Sequence, residues 1–330
     1  MRLAIEASER VHGTTSPNPP VGAVILDADG DIAGVGATSP PGAAHAEVVA
    51  LAQAGARAEG GTAVVTLEPC AHHGRTPPCV DALLAAGVGT VYYAVSDPNP
   101  AAAGGAGRLT AAGVRVQGGL LAEAVATGPL RAWLHHVTTG RPHVTWKYAM
   151  TMDGRVAAED GTSRWVSGEP ARAEVHQLRR QVDAIVVGRG TVLADDPRLT
   201  ARADDGTDLP RQPLRVVVGT GDIPPGSHIL DDAAPTLHLR TREPAAVLTA
   251  LAERGIVDVL LEGGPTLAGA FLAAGLVDRV LAYVAPKFLG AGPCALASAG
   301  VPTITAAHQF SVEQATMSGK DVRVSAVPVR

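Results

Sequence analysis

The chain has 330 residues, a net charge of −5 without a block of like charge, and 46% apolar residues. This length favours two domains, and the apolar content is ample for a buried core. The charge balance argues against a nucleic-acid partner and against an anionic membrane surface, and no apolar run approaches the roughly 18 residues of a membrane span. The interrupted, partly acidic amino-terminal segment is a poor signal peptide, and three cysteines do not suggest a disulfide framework. We therefore expect a cytoplasmic protein.

Short β-like runs alternate with helical runs in the first 140 residues. An amphipathic helix is predicted near the amino terminus, strands at 21–26, 32–37, 62–67 and 90–95, and helices at 45–57, 79–86 and 121–136. The turn at 27–30 should join the first two strands as a hairpin. Such alternation predicts an α/β sandwich around a mainly parallel sheet.

The turn-rich stretch Thr139-Gly140-Arg141-Pro142 predicts a boundary between two domains, 1–140 and 141–330. In the second domain, strands are predicted at 143–149, 184–188, 214–218, 257–261 and 280–284, and helices at 170–181, 243–254 and 265–274. The polar stretch 202–213 is predicted to be a surface loop. The second half is therefore also predicted to be α/β.

Three residues of the first half have the chemistry of metal ligands. His45 begins a predicted helix, Cys70 follows a predicted strand, and Cys79 opens another helix. One imidazole and two thiolates suit Zn²⁺, and three protein ligands plus a water are typical of a catalytic zinc. The positive helix ends would also favour the thiolates. A structural zinc and a metal-free loop are the alternatives for this pattern.

Glu47 follows His45 by two residues and could reach a water at the metal without binding the metal itself. That position suits a general base and acid. The combination matches the zinc-deaminase signature H-x-E…P-C-x-x-C, except that eight residues separate the two cysteines here.

Four stretches of the first half, SPNPPVGAV (16–24), HAEV (45–48), TLEPCAHHGRTPPC (66–79) and SDPNP (96–100), resemble the deaminase domain of the RibD family of bifunctional riboflavin-biosynthesis proteins. The resemblance implies that His45, Cys70 and Cys79 bind zinc, that Glu47 transfers protons, and that Asn18, His72 and Arg75 bind substrate. Arg75 suits a phosphate because guanidinium binds phosphate at two points. Many family members have a histidine where this chain has Thr38, so we expect a different substrate contact there.

The second half contains KYAMTMDGRVA (147–157), SRW (163–165), GRGTVLADDPRLTAR (188–202) and LEGGPTLAGAF (261–271). No G-x-G-x-x-G follows its first strand, so a Rossmann site is unsupported. The glycines of Glu262-Gly263-Gly264-Pro265-Thr266 would let backbone N–H groups approach a phosphate at a helix start. A tight strand-to-helix turn explains the same residues equally well, and Asp195-Asp196-Pro197 could simply end a helix.

Together these stretches resemble the reductase domain of the same family, which implies a dihydrofolate-reductase-like fold and NADPH as cofactor. The residues implied to line the NADPH site are Ala149, Trp165, Thr191, Asp195, Thr220, Gly264, Pro265, Thr266, Leu267, Ala268, Gly269 and Ala270. Those implied to contact a ribosyl phosphate substrate are Ser163, Arg179, Leu199, Arg202 and Glu262. Lys147 could place a positive charge near the reacting centre, or could instead pair with Asp153 or Glu262.

The resemblance thus predicts an N-terminal cytidine-deaminase-like three-layer sandwich followed by the reductase domain. It implies zinc-dependent deamination of 2,5-diamino-6-ribosylamino-4(3H)-pyrimidinone 5′-phosphate, then NADPH-dependent reduction of the ribosyl group of 5-amino-6-ribosylaminouracil 5′-phosphate to ribityl. The expected partners are these small molecules and further copies of the chain, in a dimer or tetramer.

Three other functions remain as alternatives: a deaminase with a decayed reductase half, a zinc-stabilised binding protein, and a nucleic-acid base deaminase. The complete set of motifs in the second half argues against the first, and the presence of Glu47 against the second. The acidic balance and the absence of a basic, aromatic-rich stretch disfavour the third.

Overall fold

The computed structural model describes residues 1–72, 77–99, 102–203 and 205–329. The chain divides into two compact units, Met1–Arg141 and Pro142–Arg330. None of the helices in the described residues combines the length and apolar character that crossing a membrane requires.

A five-stranded sheet forms the centre of the first unit. Its strands are β1 (Gly22–Leu26), β2 (Ile32–Ala37), β3 (Thr62–Leu67), β4 (Thr90–Val95) and β5 (Arg115–Gln117), in the order β2-β1-β3-β4-β5. Strand β1 pairs antiparallel with β2 and β3, whereas β3, β4 and β5 are parallel. The predicted β1–β2 hairpin is therefore present, and it makes the sheet only half parallel.

The helices of the first unit are α1 (Arg2–Arg10), α2 (Ala46–Ala54), α3 (Cys79–Ala85), α4 (Gly105–Ala111), α5 (Ala122–Ala126) and α6 (Arg131–Thr139), with a 3₁₀ turn at Gly55–Ala58. The prediction of one helix over 121–136 is wrong. Gly128 and Pro129 separate α5 from α6, because proline lacks an N–H and its ring clashes with the preceding helical turn.

Helix α2 lies directly on the backbone of β2. A Cβ on Gly36 would lie 2.2 Å from the carbonyl oxygen of Ala46, and one on Gly34 would lie 2.1 Å from that of Ala50. Only glycine permits this approach, since any larger side chain would collide with the helix backbone. The close packing fixes the start of α2, where His45 and Glu47 lie.

The second unit contains an eight-stranded sheet. Its strands are β6 (His143–Thr151), β7 (Ala184–Gly188), β8 (Leu214–Val218), β9 (Thr236–Leu239), β10 (Asp258–Leu261), β11 (Arg279–Ala285), β12 (Phe310–Ser318) and β13 (Asp321–Pro328). The order is β12-β13-β11-β6-β10-β7-β8-β9, and the six strands from β11 to β9 are parallel. Among the strands of the described residues, β13 pairs antiparallel with both of its neighbours, β11 and β12.

The helices of the second unit are α7 (Glu169–Gln181), α8 (Arg189–Asp195), α9 (Pro244–Ala252) and α10 (Pro265–Ala273), with 3₁₀ turns at His228–Leu230 and Ile304–Ala306. Buried Val186, Val216 and Val259 on adjacent strands pack with Leu248 and Phe271 of the helices. Helices α8 and α10 both begin where parallel strands end. Ligands of open parallel sheets bind at this carboxyl edge, so the fold places a binding region there.

Candidate active sites

A cavity of about 500 Å³ in the first unit brings together most of the residues predicted for deamination. The predicted residues in its wall are Asn18, His45, Glu47, Cys70 and His72. Cys79 is fully buried beside His45. Arg75, the remaining predicted residue, lies outside the described residues.

His45, Cys70 and Cys79 form a compact ligand set whose donor atoms all lie within 4.8 Å of one another. His45 Nδ1 lies 3.2 Å from Cys79 Sγ and 3.6 Å from Cys70 Sγ. A tetrahedral Zn²⁺, with bonds of about 2.0 Å to nitrogen and about 2.3 Å to sulfur, holds such atoms about 3.5 Å apart. The three side chains therefore fit a zinc ion.

The two thiols of this set share a hydrogen bond that shifts their pKa values in opposite directions. A hydrogen bond with Cys79, with further help from His45, outweighs burial and lowers the pKa of Cys70 to about 4. The same thiol–thiol hydrogen bond raises the pKa of Cys79. The backbone N–H of Cys79 also donates to Cys70 Sγ over 3.3 Å. A dication would displace the shared proton, because thiolate is the ligand form.

Glu47 is the buried acid of this cavity, with only 4% of its surface exposed. It lies in the first turn of α2, two residues after His45, which occupies the N-cap position. Burial is the main cause that raises the pKa of Glu47 to about 7. A carboxyl group with this pKa can both accept and return a proton near neutral pH.

Several other residues of the cavity wall escaped the sequence analysis, among them Glu68, Asp97, Asn99, Trp133 and His136. The buried Glu68 carboxylate accepts N–H groups from Asp97 (3.3 Å) and Ala106 (3.0 Å). It therefore connects Asp97, just after β4, to Ala106 in α4. The sequence places Glu68 directly before the Pro69-Cys70 pair but does not reveal these two partners.

Thr38 also lines this cavity and is almost fully buried. Its hydroxyl accepts the N–H of Val21 over 3.0 Å, and its own N–H donates to the Val21 carbonyl over 2.9 Å. Thr38 therefore connects the end of β2 to the start of β1.

A second cavity, of about 780 Å³, lies in the second unit. The predicted residues in its wall are Lys147, Ala149, Ser163, Trp165, Arg179, Asp195, Leu199 and Arg202. Members of the predicted cofactor set and substrate set therefore share one cavity. The wall also contains Arg164, Arg172, His176, Arg198 and His228, which the sequence analysis missed. Its excess of cationic groups suits anionic ligands.

Glu262 lies at the end of β10 and links two cations of this cavity. Arg179 donates to Glu262 at two points, over 2.7 and 2.9 Å, and Lys147 Nζ lies 4.0 Å from the same carboxylate. Burial by itself raises the pKa of Glu262, but Arg179 and Lys147 outweigh it and lower that pKa to about 2. Burial lowers the pKa of Lys147. Asp153, the other suggested partner of Lys147, instead accepts the N–H groups of Leu289 and Gly290.

Leu199 holds an uncommon backbone conformation in the wall of the same cavity. Its φ is +52°, in the left-handed region, and its side chain is 4% exposed. The residues on either side connect the end of α8 to Arg202. The conformation therefore turns the chain so that the Leu199 side chain forms part of the cavity wall.

The remaining predicted cofactor residues, namely Thr191, Thr220 and Gly264–Ala270, are not in the wall of the larger cavity as far as the described residues define it. Thr191, Thr220 and Gly264 lie at the carboxyl edge of the sheet. Ala268 and Gly269 are instead buried in the middle of α10, where a Cβ on Gly269 would lie 2.2 Å from the carbonyl oxygen of Ser298. A Cβ on Gly264 would lie 3.2 Å from Thr191 Oγ1, and one on Gly263 would lie 3.3 Å from the backbone nitrogen of Gly188. The bare backbone at the start of α10 fits an approaching phosphate of a dinucleotide.

Comparison with known proteins assigns both halves of the chain. The family model described as "Cytidine and deoxycytidylate deaminase zinc-binding region" matches residues 1–95, and "RibD C-terminal domain" matches residues 142–323. The riboflavin biosynthesis protein RibD of Mycobacterium tuberculosis (strain ATCC 25618 / H37Rv) is 59% identical over 327 residues, covering 99% of this chain and 96% of that protein. The chain belongs to the RibD family.

Other RibD proteins agree over the whole length. RibD of Escherichia coli (strain K12) is 41% identical over 361 residues, covering 98% of this chain and 96% of that protein. The structure of Acinetobacter baumannii RibD, form 1, has a TM-score of 0.89 and 36% identity, and covers 100% of this chain and 98% of that chain. A Thermotoga maritima deaminase/reductase structure has a TM-score of 0.91 and 33% identity, and the match covers 100% of this chain and 97% of that chain.

Family membership confirms the predicted fold class, an N-terminal cytidine-deaminase domain followed by a C-terminal RibD reductase domain. The chain is a bifunctional deaminase and reductase of riboflavin biosynthesis. The predicted use of zinc and NADPH is confirmed as well.

Proposed function

We propose that residues 1–140 deaminate 2,5-diamino-6-ribosylamino-4(3H)-pyrimidinone 5′-phosphate and that residues 141–330 reduce the product. The Thermotoga maritima relative is named as a diaminohydroxyphosphoribosylaminopyrimidine deaminase and 5-amino-6-(5-phosphoribosylamino)uracil reductase. The observation that carries the first activity is the cluster of His45, Cys70 and Cys79 with the buried acid Glu47 in one cavity.

In this proposal, His45, Cys70 and Cys79 hold the zinc. When bound, Zn²⁺ supplies Lewis acidity that makes water a nucleophile near neutral pH. Glu47 accepts a proton from that water and passes it to the ring nitrogen as the oxygen adds to C2 of the pyrimidine. It then accepts the remaining proton from the new C2 hydroxyl and passes it to the amino group, which leaves as ammonia while C2 becomes a carbonyl. Asn18, His72 and Arg75 orient the substrate, with Arg75 directed to its phosphate.

The reductase proposal rests on the cationic cavity of the second unit. When bound, NADPH supplies the hydride that converts the ribosyl group to ribityl. We assign Ala149, Trp165, Thr191, Asp195, Thr220 and Gly264–Ala270 to the cofactor, and Ser163, Leu199 and Glu262 to the substrate. Arg179 and Arg202 both lie in the cavity wall and would neutralise the substrate phosphate. Lys147 would contribute a positive charge near the reacting carbon.

The oligomeric state and the compartment complete the proposal. We expect a homodimer or homotetramer, which light scattering of the purified protein would test. The cytoplasm is the expected compartment because three cysteines, two of them proposed zinc ligands, do not suggest a disulfide framework. No nucleic-acid or membrane partner is proposed.

The test combines metal analysis with two activity measurements on the full chain. One zinc per chain, ammonia release and substrate-dependent NADPH oxidation would support both halves of the proposal. Zinc and ammonia release without NADPH oxidation would leave a deaminase with an inactive second half. A folded protein without zinc would contradict the deaminase mechanism.

A further inference from the structure

The carboxyl edge of the second sheet continues beyond the start of α10. The adjacent parallel strands β10, β7, β8 and β9 end in that spatial order. Each is followed by residues of the edge: Glu262–Gly264, then Gly188–Arg189, then Gly219–Asp222, then Arg240. Parallel strands lie about 4.8 Å apart, so the edge from β7 to β9 extends roughly 10 Å beyond the glycines of α10.

Arg189 is held in a fixed position on this edge. A Cβ on Gly219 would lie 2.9 Å from Arg189 Cβ, and a Cβ on Gly221 would lie 3.0 Å from Arg189 Nε and Cζ. Arg189 Nε donates to the carbonyl of Asp222 over 2.7 Å. Two bare glycines therefore let the loop after β8 pack along the arginine side chain, which stays partly exposed.

Arg240 approaches the same loop from the end of β9. Its guanidinium donates to the carbonyl of Thr220 over 3.1 Å and also pairs with the Asp222 carboxylate. Asp222 is 85% exposed, and its pKa is lowered by Arg240 first and more weakly by Arg189. A carboxylate thus lies in the field of two arginines, with His238 also close to it.

The charge of this group is unbalanced. In the described residues of the second unit, no carboxylate forms an ion pair with Arg189, and Asp222 alone pairs with Arg240. The loop therefore has one carboxylate against two guanidinium groups, on glycine backbone that a ligand can approach closely. Guanidinium pairs recognise phosphate dianions, and in dinucleotide sites an arginine accommodates the 2′-phosphate that distinguishes NADP from NAD.

We propose that Arg189 and Arg240 bind the 2′-phosphate of NADPH and that Asp222 occupies their field when the cofactor is not bound. The inference rests on the proposed function, because it requires that the dinucleotide lie along this edge with its pyrophosphate near Gly264. The reacting end then points to Lys147 and Ala149 on β6, which lies on the other side of β10. The pair determines specificity for NADPH over NADH without touching the reacting atoms.

The test is calorimetric titration of the full, zinc-loaded protein with NADP⁺, NAD⁺, adenosine 2′,5′-bisphosphate and AMP. Arg189→Ala and Arg240→Ala should each weaken the binding of NADP⁺ and of adenosine 2′,5′-bisphosphate. The dissociation constants should rise by roughly tenfold to a hundredfold, which corresponds to the loss of a charge-assisted hydrogen bond. NAD⁺ and AMP should bind as before. Arg242→Ala is the matched control, because Arg242 is exposed and makes no hydrogen bond or ion pair with the described chain.

Asp222→Asn provides a test in the opposite direction. This substitution should increase the affinity for NADP⁺ and leave the affinity for NAD⁺ unchanged. A gain in affinity cannot result from misfolding. Equal losses for NADP⁺ and NAD⁺ in the arginine variants, or an unchanged preference, would overturn the inference and leave NADPH use intact. Failure of the folded, unsubstituted protein to bind either dinucleotide would instead contradict the proposed function, and this inference with it.

Discussion

Arg179 and Glu262 form a two-point ion pair, with Nε to Oε1 at 2.7 Å and Nη2 to Oε2 at 2.9 Å. Arg179 belongs to α7 and Glu262 to the end of β10, so the pair connects a helix to the carboxyl edge of the sheet. Only 15% and 9% of the two side chains are exposed. Solvent therefore screens this pair far less than a surface pair.

Glu262→Gln should remove an acid-sensitive part of the stability of the reductase domain. The folded pKa of Glu262 is about 2, below its ordinary value of 4.5. The carboxylate therefore stabilises the fold fully above pH 4.5, and the contribution is lost as pH falls towards 2. The difference corresponds to about 3 kcal/mol, of which about 2 kcal/mol is lost by pH 3.

Urea unfolding at pH 7 and pH 3 measures this effect. The unchanged protein should lose more stability between these pH values than the Glu262→Gln variant. Glu253→Gln, at an exposed position after α9, is the control and should follow the unchanged protein. Parallel pH profiles for all three proteins would contradict the predicted linkage.

Glu47→Gln should separate metal binding from deamination. The amide keeps the size of the side chain but cannot accept and return a proton, so ammonia release should fall by about 10²- to 10⁴-fold. Elemental analysis should still find zinc, and NADPH oxidation with the deaminated substrate should be unchanged. Loss of zinc together with activity would show that Glu47 has a structural role.

Arg202→Ala should raise the KM for the ribosyl phosphate substrate by roughly tenfold to a hundredfold, because a charge-assisted phosphate contact is lost. In this structure Arg202 Nε is held by Thr200 Oγ1 at 3.0 Å and lies 3.4 Å from Asp208. The KM for NADPH should change little. Arg180→Ala, which removes an exposed arginine of α7, is the control. Equal increases in both KM values would exclude Arg202 as the phosphate ligand.

Arg215→Met should destabilise the reductase domain by about 2–4 kcal/mol, because the carbonyls of Asp231 and Ala234 lose their guanidinium donor at a cost of about 1–3 kcal/mol each. Arg215 is completely buried and pairs with Asp231 over 2.8 Å. It also donates to the carbonyls of Arg198 and His228, two residues of the cavity wall. Urea unfolding checks the loss, with Arg254→Ala, at an exposed position just after α9, as control. A loss no larger than that of the control would show that the guanidinium contributes little.

Strong local patterns allowed most of the fold to be predicted. Strands such as Ala184–Gly188 are continuous apolar runs between parallel neighbours, and glycine or proline marks their ends. The hairpin of β12 and β13 was missed because β12 is an exposed edge strand without an apolar run. The short helices α4 and α8 were missed because seven residues give too little periodicity.

The residues of the candidate sites also differ in whether the sequence alone could predict them. His45, Cys70 and Cys79 could be grouped from the sequence because each stands at the start of a helix or the end of a strand. Glu68 and Arg215 could not, because their importance depends on distant partners: Ala106 for Glu68 and Asp231 for Arg215. Sequence spacing does not reveal hydrogen bonds that close only when the chain is folded.

The left-handed conformation of Leu199 combines backbone strain with the packing of a buried side chain. A non-glycine residue with φ of +52° costs about 1 kcal/mol that glycine would not incur. Glycine at this position would relax the backbone but would remove a buried apolar side chain from the cavity wall. Truncating a buried leucine costs about 2–5 kcal/mol, which exceeds the backbone strain that glycine would relieve, so glycine here would lower the stability of the domain as well as reshape the cavity.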